Sequence, residues 1–242
     1  MTRPVRCVLF DVDGTLIDTW DLYIESFLRS LETHVGRRLT LEELAAMHPT
    51  SELRVLRQVL ASDEELPAAH EGFLAHMRAL HPELYAGVYD GVPQMLDALR
   101  AKGVALGLVT GKSRGAWAVT APVAALGEFA VAIMDDDVPE PKPAPDGLLA
   151  ALARLPADPA ETVYVGDSVN DARAARAAGV RFAAALWGKS PVERPRFEEK
   201  VAVEGAWALV PDPAALVELL SAGAGHPFRG PSRRRTIRPN LG

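Results

Sequence analysis

The chain has 242 residues, of which 48% are hydrophobic and 24% are charged, a composition typical of a folded protein rather than a disordered one. Its formal net charge of -6 argues against binding to nucleic acid, which requires a basic surface. No apolar stretch approaches the roughly 20 residues that span a bilayer or resembles a signal sequence. With a single cysteine, Cys7, that suits core packing, we expect a cytoplasmic monomer or homodimer that acts on a small molecule, without nucleic-acid or membrane partners.

The first predicted elements are one strand and a long helical segment. The short apolar run Arg6–Phe10 predicts a buried strand at the centre of a sheet. About 60 residues with helical periodicity follow, far more than a simple connection between strands needs. The clearest helical stretches are Leu22–Leu31, Leu41–Met47, Leu53–Leu60 and Ala68–Leu80. We therefore predict an inserted all-helical cap over residues 19–82 that acts as a lid or binds a partner.

After a return linker at Pro82–Asp90, helices and strands alternate, a pattern typical of a parallel α/β sheet. The predicted helices are Val92–Lys102, Arg114–Leu126, Pro145–Leu155, Ala172–Ala178 and Pro213–Leu220. The predicted strands are Val104–Val109, Ala130–Met134, Thr162–Val165, Arg181–Leu186 and Trp207–Val210. Residues 1–18 and 83–222 are thus expected to form a doubly wound, Rossmann-like core. The arginine-rich tail, residues 223–242, is predicted to be disordered and solvated, with contact to a polyanion as the alternative.

Polar residues follow several predicted strands at the points where the strands end. They are Asp11 and Asp13 after the first strand, Thr110, Gly111 and Lys112 after the second, Lys142 between two prolines, and the segment Gly166–Asp171. Ligands of open parallel sheets bind outside the carboxyl ends of the strands. We therefore expect these residues to converge on one site.

The chemistry of these residues suits phosphoryl transfer. Asp11 and Asp13 are costly to hold together without a cation, and oxygen ligands suit Mg²⁺, whereas no His or Cys cluster suggests zinc. A carboxylate can attack phosphorus, and a second one nearby can protonate the leaving alkoxide. Lys142, the Thr110 hydroxyl and N–H groups of glycine-rich turns such as Gly14 and Gly111 would stabilise the phosphoryl oxygens.

In their order along the chain, these motifs resemble the four motifs of the haloacid dehalogenase superfamily, over about residues 5–220. The helical insert and the segments Asp13–Thr19 and Gly166–Asp171 resemble the phosphoglycolate phosphatase group. The resemblance implies that Asp11 is the nucleophile and a Mg²⁺ ligand. It also implies that Asp13 is the general acid and base and binds the metal through its backbone carbonyl. Because the dehalogenases lack an aspartate at this place, dehalogenation is not expected.

The resemblance implies roles for the later motifs as well. Thr110 would bind the phosphoryl group, and Lys142 would pair with Asp11 and the phosphate. Asp167 would ligate Mg²⁺ directly, and Asp171 would support the metal through water or Lys142.

Substrate specificity is expected to come from the cap, because the sheet loops recognise only phosphate and metal. The loop at residues 48–51 is the clearest interruption between cap helices, and His48, Thr50 and Arg54 are the candidate specificity residues. This loop lacks the glycine found in many relatives. The acidic run Asp135–Asp137 is predicted to be a loop rather than a metal site.

The predicted function is a Mg²⁺-dependent phosphatase that hydrolyses a small phosphorylated metabolite, such as phosphoglycolate, through an aspartyl-phosphate. Three alternatives stay open: a phosphomutase of the β-phosphoglucomutase type, an inorganic pyrophosphatase of the same family, and a phosphate-binding scaffold without catalysis.

Overall fold

The computed structural model describes residues 3–49, 51–155 and 157–221. The strands are β1 (Cys7–Phe10), β2 (Ile17–Asp18), β3 (Gly87–Val88), β4 (Ala105–Val109), β5 (Val131–Ile133), β6 (Thr162–Gly166), β7 (Arg181–Ala185) and β8 (Ala208–Val210). Six of them form one sheet in the order β5-β4-β1-β6-β7-β8, and every adjacent pair is parallel. Because the order runs outward from β1 in both directions, the predicted doubly wound sheet with β1 in its interior is confirmed.

The helices are α1 (Trp20–Val35), α2 (Leu41–Ala46), α3 (Glu52–Arg57), α4 (Leu66–Leu84), α5 (Val92–Ala101), α6 (Arg114–Ala124), α7 (Asp146–Arg154), α8 (Val169–Ala178), α9 (Arg194–Val203) and α10 (Pro213–Ser221). Helices cover both faces of the sheet. Side chains alternate along β1, so Val8 and Phe10 pack into the hydrophobic core on one face and Cys7 and Leu9 into the core on the other. All four are fully buried, which explains why this strand is an unbroken apolar run.

The four cap helices α1–α4 lie between β2 and β3, which pair with each other as a short antiparallel ribbon. The helical cap predicted from the sequence is therefore present. It has its own apolar core, in which the rings of Phe27 and Phe73 lie 5.0 Å apart. Ala116 of α6 belongs to the same cluster, so the cap packs directly against the sheet domain.

Two helices differ from the sequence-based prediction. Helix α4 continues through Pro82 to Leu84, where a linker is predicted, because a proline in the last turn removes only one backbone hydrogen bond. Helix α9 is missing from the prediction because half of its residues are charged and its buried residues are Phe197 and Val201, one turn apart.

The predicted disordered tail lies outside the described residues. Among the helices that the structure describes, none combines the length and the apolar composition needed to cross a bilayer.

Candidate active site

Three carboxylates meet where β1 and β6 end. Asp11, Asp167 and Asp171 each offer one oxygen, and these oxygens all lie within 4.8 Å of one another. Burial raises the pKa of Asp11 to about 7 and also raises the pKa of Asp167. Such a concentration of buried negative charge is unfavourable without a cation, and carboxylate oxygens are the donors that Mg²⁺ favours. The donor set therefore fits a magnesium ion.

Lys142 supplies part of the compensating charge. Its Nζ lies 3.0 Å from Asp11 Oδ2 and 2.6 Å from Asp171 Oδ1, and it donates a hydrogen bond to the Tyr164 hydroxyl. Burial alone would lower the pKa of Lys142, but the two carboxylates outweigh that effect and raise it. Lys142 is thus held as a cation beside Asp11, where the sequence predicts it.

The glycine at position 14 allows the loop after β1 to approach Asp167. Gly14 has a φ of +76°, and a Cβ atom at this position would collide with the Asp167 carboxylate. A cavity lies beside Asp11 and Asp167, and Thr110 and Gly111, which follow β4, also line it. Thr110 is 5% exposed. The structure therefore brings together the residues that the sequence assigns to the metal and the phosphate.

Asp13 is held by residues that the sequence did not assign. Its Oδ1 accepts hydrogen bonds from the Thr19 hydroxyl and from Lys112 Nζ, which lies 3.0 Å away. The Lys112 side chain is completely buried, and its Nζ also donates to the Tyr23 hydroxyl of α1 at 2.7 Å. A cap residue is therefore in contact with the lysine that binds the predicted general acid.

A second buried contact joins the cap to the sheet domain. The Glu52 carboxylate of α3 is fully buried and accepts hydrogen bonds from the backbone N–H and the hydroxyl of Ser113 at 3.0–3.2 Å. Ser113 precedes α6, so the carboxylate faces the positive end of that helix dipole. Burial raises the pKa of Glu52 despite these bonds. A lone glutamate in a helical segment carries no sequence signal of such a contact.

Lys189 is a further residue that the sequence analysis missed. Its Nζ lies 2.5 Å from Asp167 Oδ2, whereas the other carboxylate oxygen, Oδ1, accepts a hydrogen bond from the Thr15 hydroxyl. The residue lies in the loop after β7, another strand whose carboxyl end faces this site. Its position after a strand is the one signal that would have predicted it.

The predicted specificity residues of the cap do not line the cavity where the structure describes them. His48 is exposed with a φ of 53°, a left-handed conformation that favours glycine. The Arg54 guanidinium instead forms an ion pair with Glu140 at 2.8 Å. Thr50 lies outside the described residues, whereas its neighbour Pro49 does line the cavity.

The acidic run at residues 135–137 forms a 3₁₀ turn in the loop after β5, and its side chains contact residues distant in the sequence. Asp135 accepts a hydrogen bond from Ser51, and Asp137 forms an ion pair with Arg114.

Residues 8–185 match the sequence pattern of the family described as haloacid dehalogenase-like hydrolase. The chain belongs to the haloacid dehalogenase-like hydrolases. It is 36% identical over 187 residues to the phosphoglycolate phosphatase of Xylella fastidiosa, an alignment that covers 76% of this chain and 81% of that protein. It is 37% identical over 188 residues to the pyrophosphatase PpaX of Anoxybacillus flavithermus, covering 76% and 84% of the two chains.

The fold of this hydrolase is similar to that of CbbY from Rhodobacter sphaeroides, solved in complex with phosphate. The two structures superpose with a TM-score of 0.66 at 25% sequence identity, over 75% of this chain and 86% of CbbY. The predicted superfamily, its phosphoglycolate phosphatase-like group and the fold class are thus confirmed.

The raised pKa of Asp11 predicts how the stability of the metal-free hydrolase depends on pH. The folded state binds this proton more tightly than the unfolded state, whose value is near 3.8, so the free energy of unfolding should fall as pH rises from 3.8 to about 7. Urea unfolding in the presence of a chelator measures this slope, which Asp11→Asn should flatten. Asp97→Asn, at an exposed site on α5, should keep the wild-type slope; equal slopes for both variants would contradict the prediction.

Proposed function

We propose that this hydrolase is a Mg²⁺-dependent phosphatase that cleaves a small phosphate monoester through an aspartyl-phosphate on Asp11. The observation that carries the proposal is that Asp11 lines a cavity beside Lys142 Nζ, with oxygens of two further carboxylates within 4.8 Å. The arrangement offers an anionic nucleophile next to the charges needed to receive a phosphate dianion. The names of the two sequence relatives support phosphate-ester or anhydride hydrolysis.

In the first step, an Asp11 carboxylate oxygen bonds to phosphorus while the bond from phosphorus to the ester oxygen breaks. Asp13 gives its proton to the leaving alkoxide. In the second step, Asp13 takes a proton from water as the water oxygen attacks phosphorus. The bond to Asp11 then breaks, which releases inorganic phosphate and restores both carboxyl groups.

The other site residues bind charge. The Thr110 hydroxyl, Lys142 and the N–H of Gly111 would bind the phosphoryl oxygens. The Gly14 N–H, which the sequence analysis also assigns to phosphate, instead donates to the Ile17 carbonyl at 2.9 Å. Asp11, Asp167 and the Asp13 carbonyl would hold Mg²⁺, and Asp171 would support it through Lys142. The ion would neutralise charge between the carboxylates and the phosphate.

The proposal predicts that the purified chain releases inorganic phosphate from p-nitrophenyl phosphate and that this release requires a divalent cation. A chelator should reduce turnover to background, and excess Mg²⁺ should restore it, because Lys142 alone does not balance the three carboxylates, which repel a phosphate dianion when no divalent cation is present. Phosphate and p-nitrophenol are measured together. Undiminished turnover in the chelator would contradict the role of the metal.

Measurements of phosphate release from other substrates separate the alternatives. A phosphomutase returns its phosphoryl group to a sugar, so it would isomerise a sugar phosphate in the presence of a bisphosphate primer with little release of phosphate. A pyrophosphatase would release phosphate from inorganic pyrophosphate faster than from any monoester. A scaffold would bind phosphate and release none.

The proposed cellular compartment and partner of the enzyme follow from its charge and its cysteine. The acidic net charge and the single cysteine, which is buried, support a cytoplasmic enzyme whose partner is a small phosphate ester rather than nucleic acid.

A further inference from the structure

The cavity above the catalytic carboxylates is larger than the relatives' named substrates require. Its volume is about 520 Å³, within the range of roughly 300–1,000 Å³ that holds drug-sized ligands. Phosphoglycolate and pyrophosphate are much smaller than such ligands. Most of the space is therefore available to the part of the substrate that leaves with the ester oxygen.

Five of the lining residues are apolar or aromatic. We call them the apolar wall, and they are Trp20, Ile24, Phe27, Pro49 and Tyr89. The first three lie on one face of α1 at spacings of four and three residues, so the cap helix presents a continuous apolar stripe to the cavity. Trp20 is 71% exposed, which places its ring at the solvent end of the stripe. A solvent-exposed tryptophan beside a site offers a surface for a ring or alkyl group.

The cations that line the cavity are already paired. Among the described lining residues they are Lys112, Lys142 and Lys189. The Nζ of each lies within 3.0 Å of a carboxylate oxygen of Asp13, Asp11 and Asp167, respectively. No arginine or histidine of the described residues joins them. The positive charge is thus concentrated where the transferred phosphate binds, and none of the lining cations stands on the apolar wall to receive a second anion.

The remaining charged residues of the lining are acidic. Asp18 and Glu193 both line the cavity in addition to the catalytic carboxylates. The Asp18 carboxylate accepts a hydrogen bond from the Trp20 backbone N–H, so it lies next to the start of the apolar wall. A carboxylate or second phosphate on the leaving group would meet like charge at this place.

We infer that the substrate is a phosphate monoester whose leaving group carries no negative charge and presents an aromatic or alkyl face to the apolar wall. This inference rests on the proposed phosphatase activity and specifies its substrate class. It separates this chain from enzymes that act on phosphoglycolate or pyrophosphate, whose leaving groups are anionic.

The test compares two probes that share a benzyl phosphate scaffold in the presence of Mg²⁺. Benzyl phosphate and 4-carboxybenzyl phosphate differ by one carboxylate that is remote from phosphorus, so their intrinsic reactivities are similar. We expect kcat/KM for benzyl phosphate to exceed that for the carboxylated probe by about tenfold or more. It should also exceed the values for phosphoglycolate and pyrophosphate.

Two variants at the same position connect the preference to the wall. Trp20→Ala should lower the ratio of kcat/KM for benzyl phosphate to that for methyl phosphate by about tenfold, mainly through KM. Trp20→Arg should raise turnover of 4-carboxybenzyl phosphate relative to benzyl phosphate, because it places a cation beside the wall. The control is Leu41→Ala, which truncates another exposed apolar cap residue that does not line this cavity and should leave both ratios unchanged.

The possible failures are distinguishable. Faster turnover of the carboxylated probe, phosphoglycolate or pyrophosphate would overturn the inference while leaving a phosphate-releasing enzyme in place. Equal ratios for Trp20→Ala and Leu41→Ala would likewise overturn the role of the wall. Failure to release phosphate from every probe, including p-nitrophenyl phosphate, would instead contradict the proposed function itself.

Discussion

Asp11→Asn is expected to lower kcat for p-nitrophenyl phosphate by roughly 10⁴- to 10⁶-fold, the loss seen when a covalent nucleophile is removed. The amide has the shape of the carboxylate but is a much weaker nucleophile toward phosphorus. Its side-chain oxygen can still accept the hydrogen bond that the Val12 backbone N–H donates to Asp11 Oδ1 at 2.8 Å. The variant should therefore fold and bind phosphate while turnover is lost.

Three measurements make this expectation specific. Circular dichroism and thermal unfolding check that the variant is folded, and phosphate release gives the rate. Acid quenching during turnover should trap phosphate on the wild-type protein and none on the variant. Asp97→Asn is the matched control, since this exposed side chain pairs with Arg100 away from the cavity. Turnover by Asp11→Asn at a substantial fraction of the wild-type rate would show that another group attacks phosphorus.

Lys142→Ala is expected to destabilise the metal-free protein by about 3–5 kcal/mol, the usual cost of removing one partner from a buried ion pair. Lys142 Nζ contacts Asp11 and Asp171 at 3.0 and 2.6 Å, and Asp171 is completely buried. Without the ammonium group, two carboxylates remain close together with no other cation on those oxygens among the described residues. Urea unfolding in a chelator measures the loss.

Two further variants and the metal show whether charge is the cause. Lys200→Ala removes an exposed lysine from α9 and should change the free energy of unfolding by no more than about 0.5 kcal/mol. Adding Asp171→Asn to Lys142→Ala should recover part of the lost stability, because one of the unpaired charges is then gone. Saturating Mg²⁺ should recover part of it as well. If Lys142→Ala were as stable as Lys200→Ala, the lysine would not be balancing these carboxylates.

Much of the sheet domain was predictable because its signals are local. A parallel strand buried on both faces, such as β1 or β6, is a short apolar run, and the polar residues after it mark its carboxyl end. The placement of Asp11, Thr110, Lys142 and Asp167 in one site follows from that rule. The strands β2 and β3 were not predicted, since two-residue strands carry no periodicity.

The contacts that the sequence analysis missed join residues far apart in the chain. Glu52 contacts Ser113 over 61 positions, and Lys112 contacts Asp13 over 99 positions. The first pair exists because the cap is docked against α6 and the second because β1 and β4 are neighbours in the sheet, and no helical or strand period encodes either arrangement. The apolar wall was missed for the same reason, since Trp20 and Phe27 read as ordinary members of an amphipathic helix until the cavity beside them is known.

The ribbon of β2 and β3 bears on how an enzyme of this architecture can change its substrate. Asp18 pairs directly with Gly87, so the chain leaves the sheet domain and returns to it at neighbouring positions. The entropy of closing a loop grows slowly with its length, by about 0.6 kcal/mol for each doubling. An insert held at both ends in this way can be lengthened, shortened or replaced with little effect on the strands beneath it. The residues of the sheet domain that bind phosphate and the residues of the cap that line the cavity can therefore change independently in evolution.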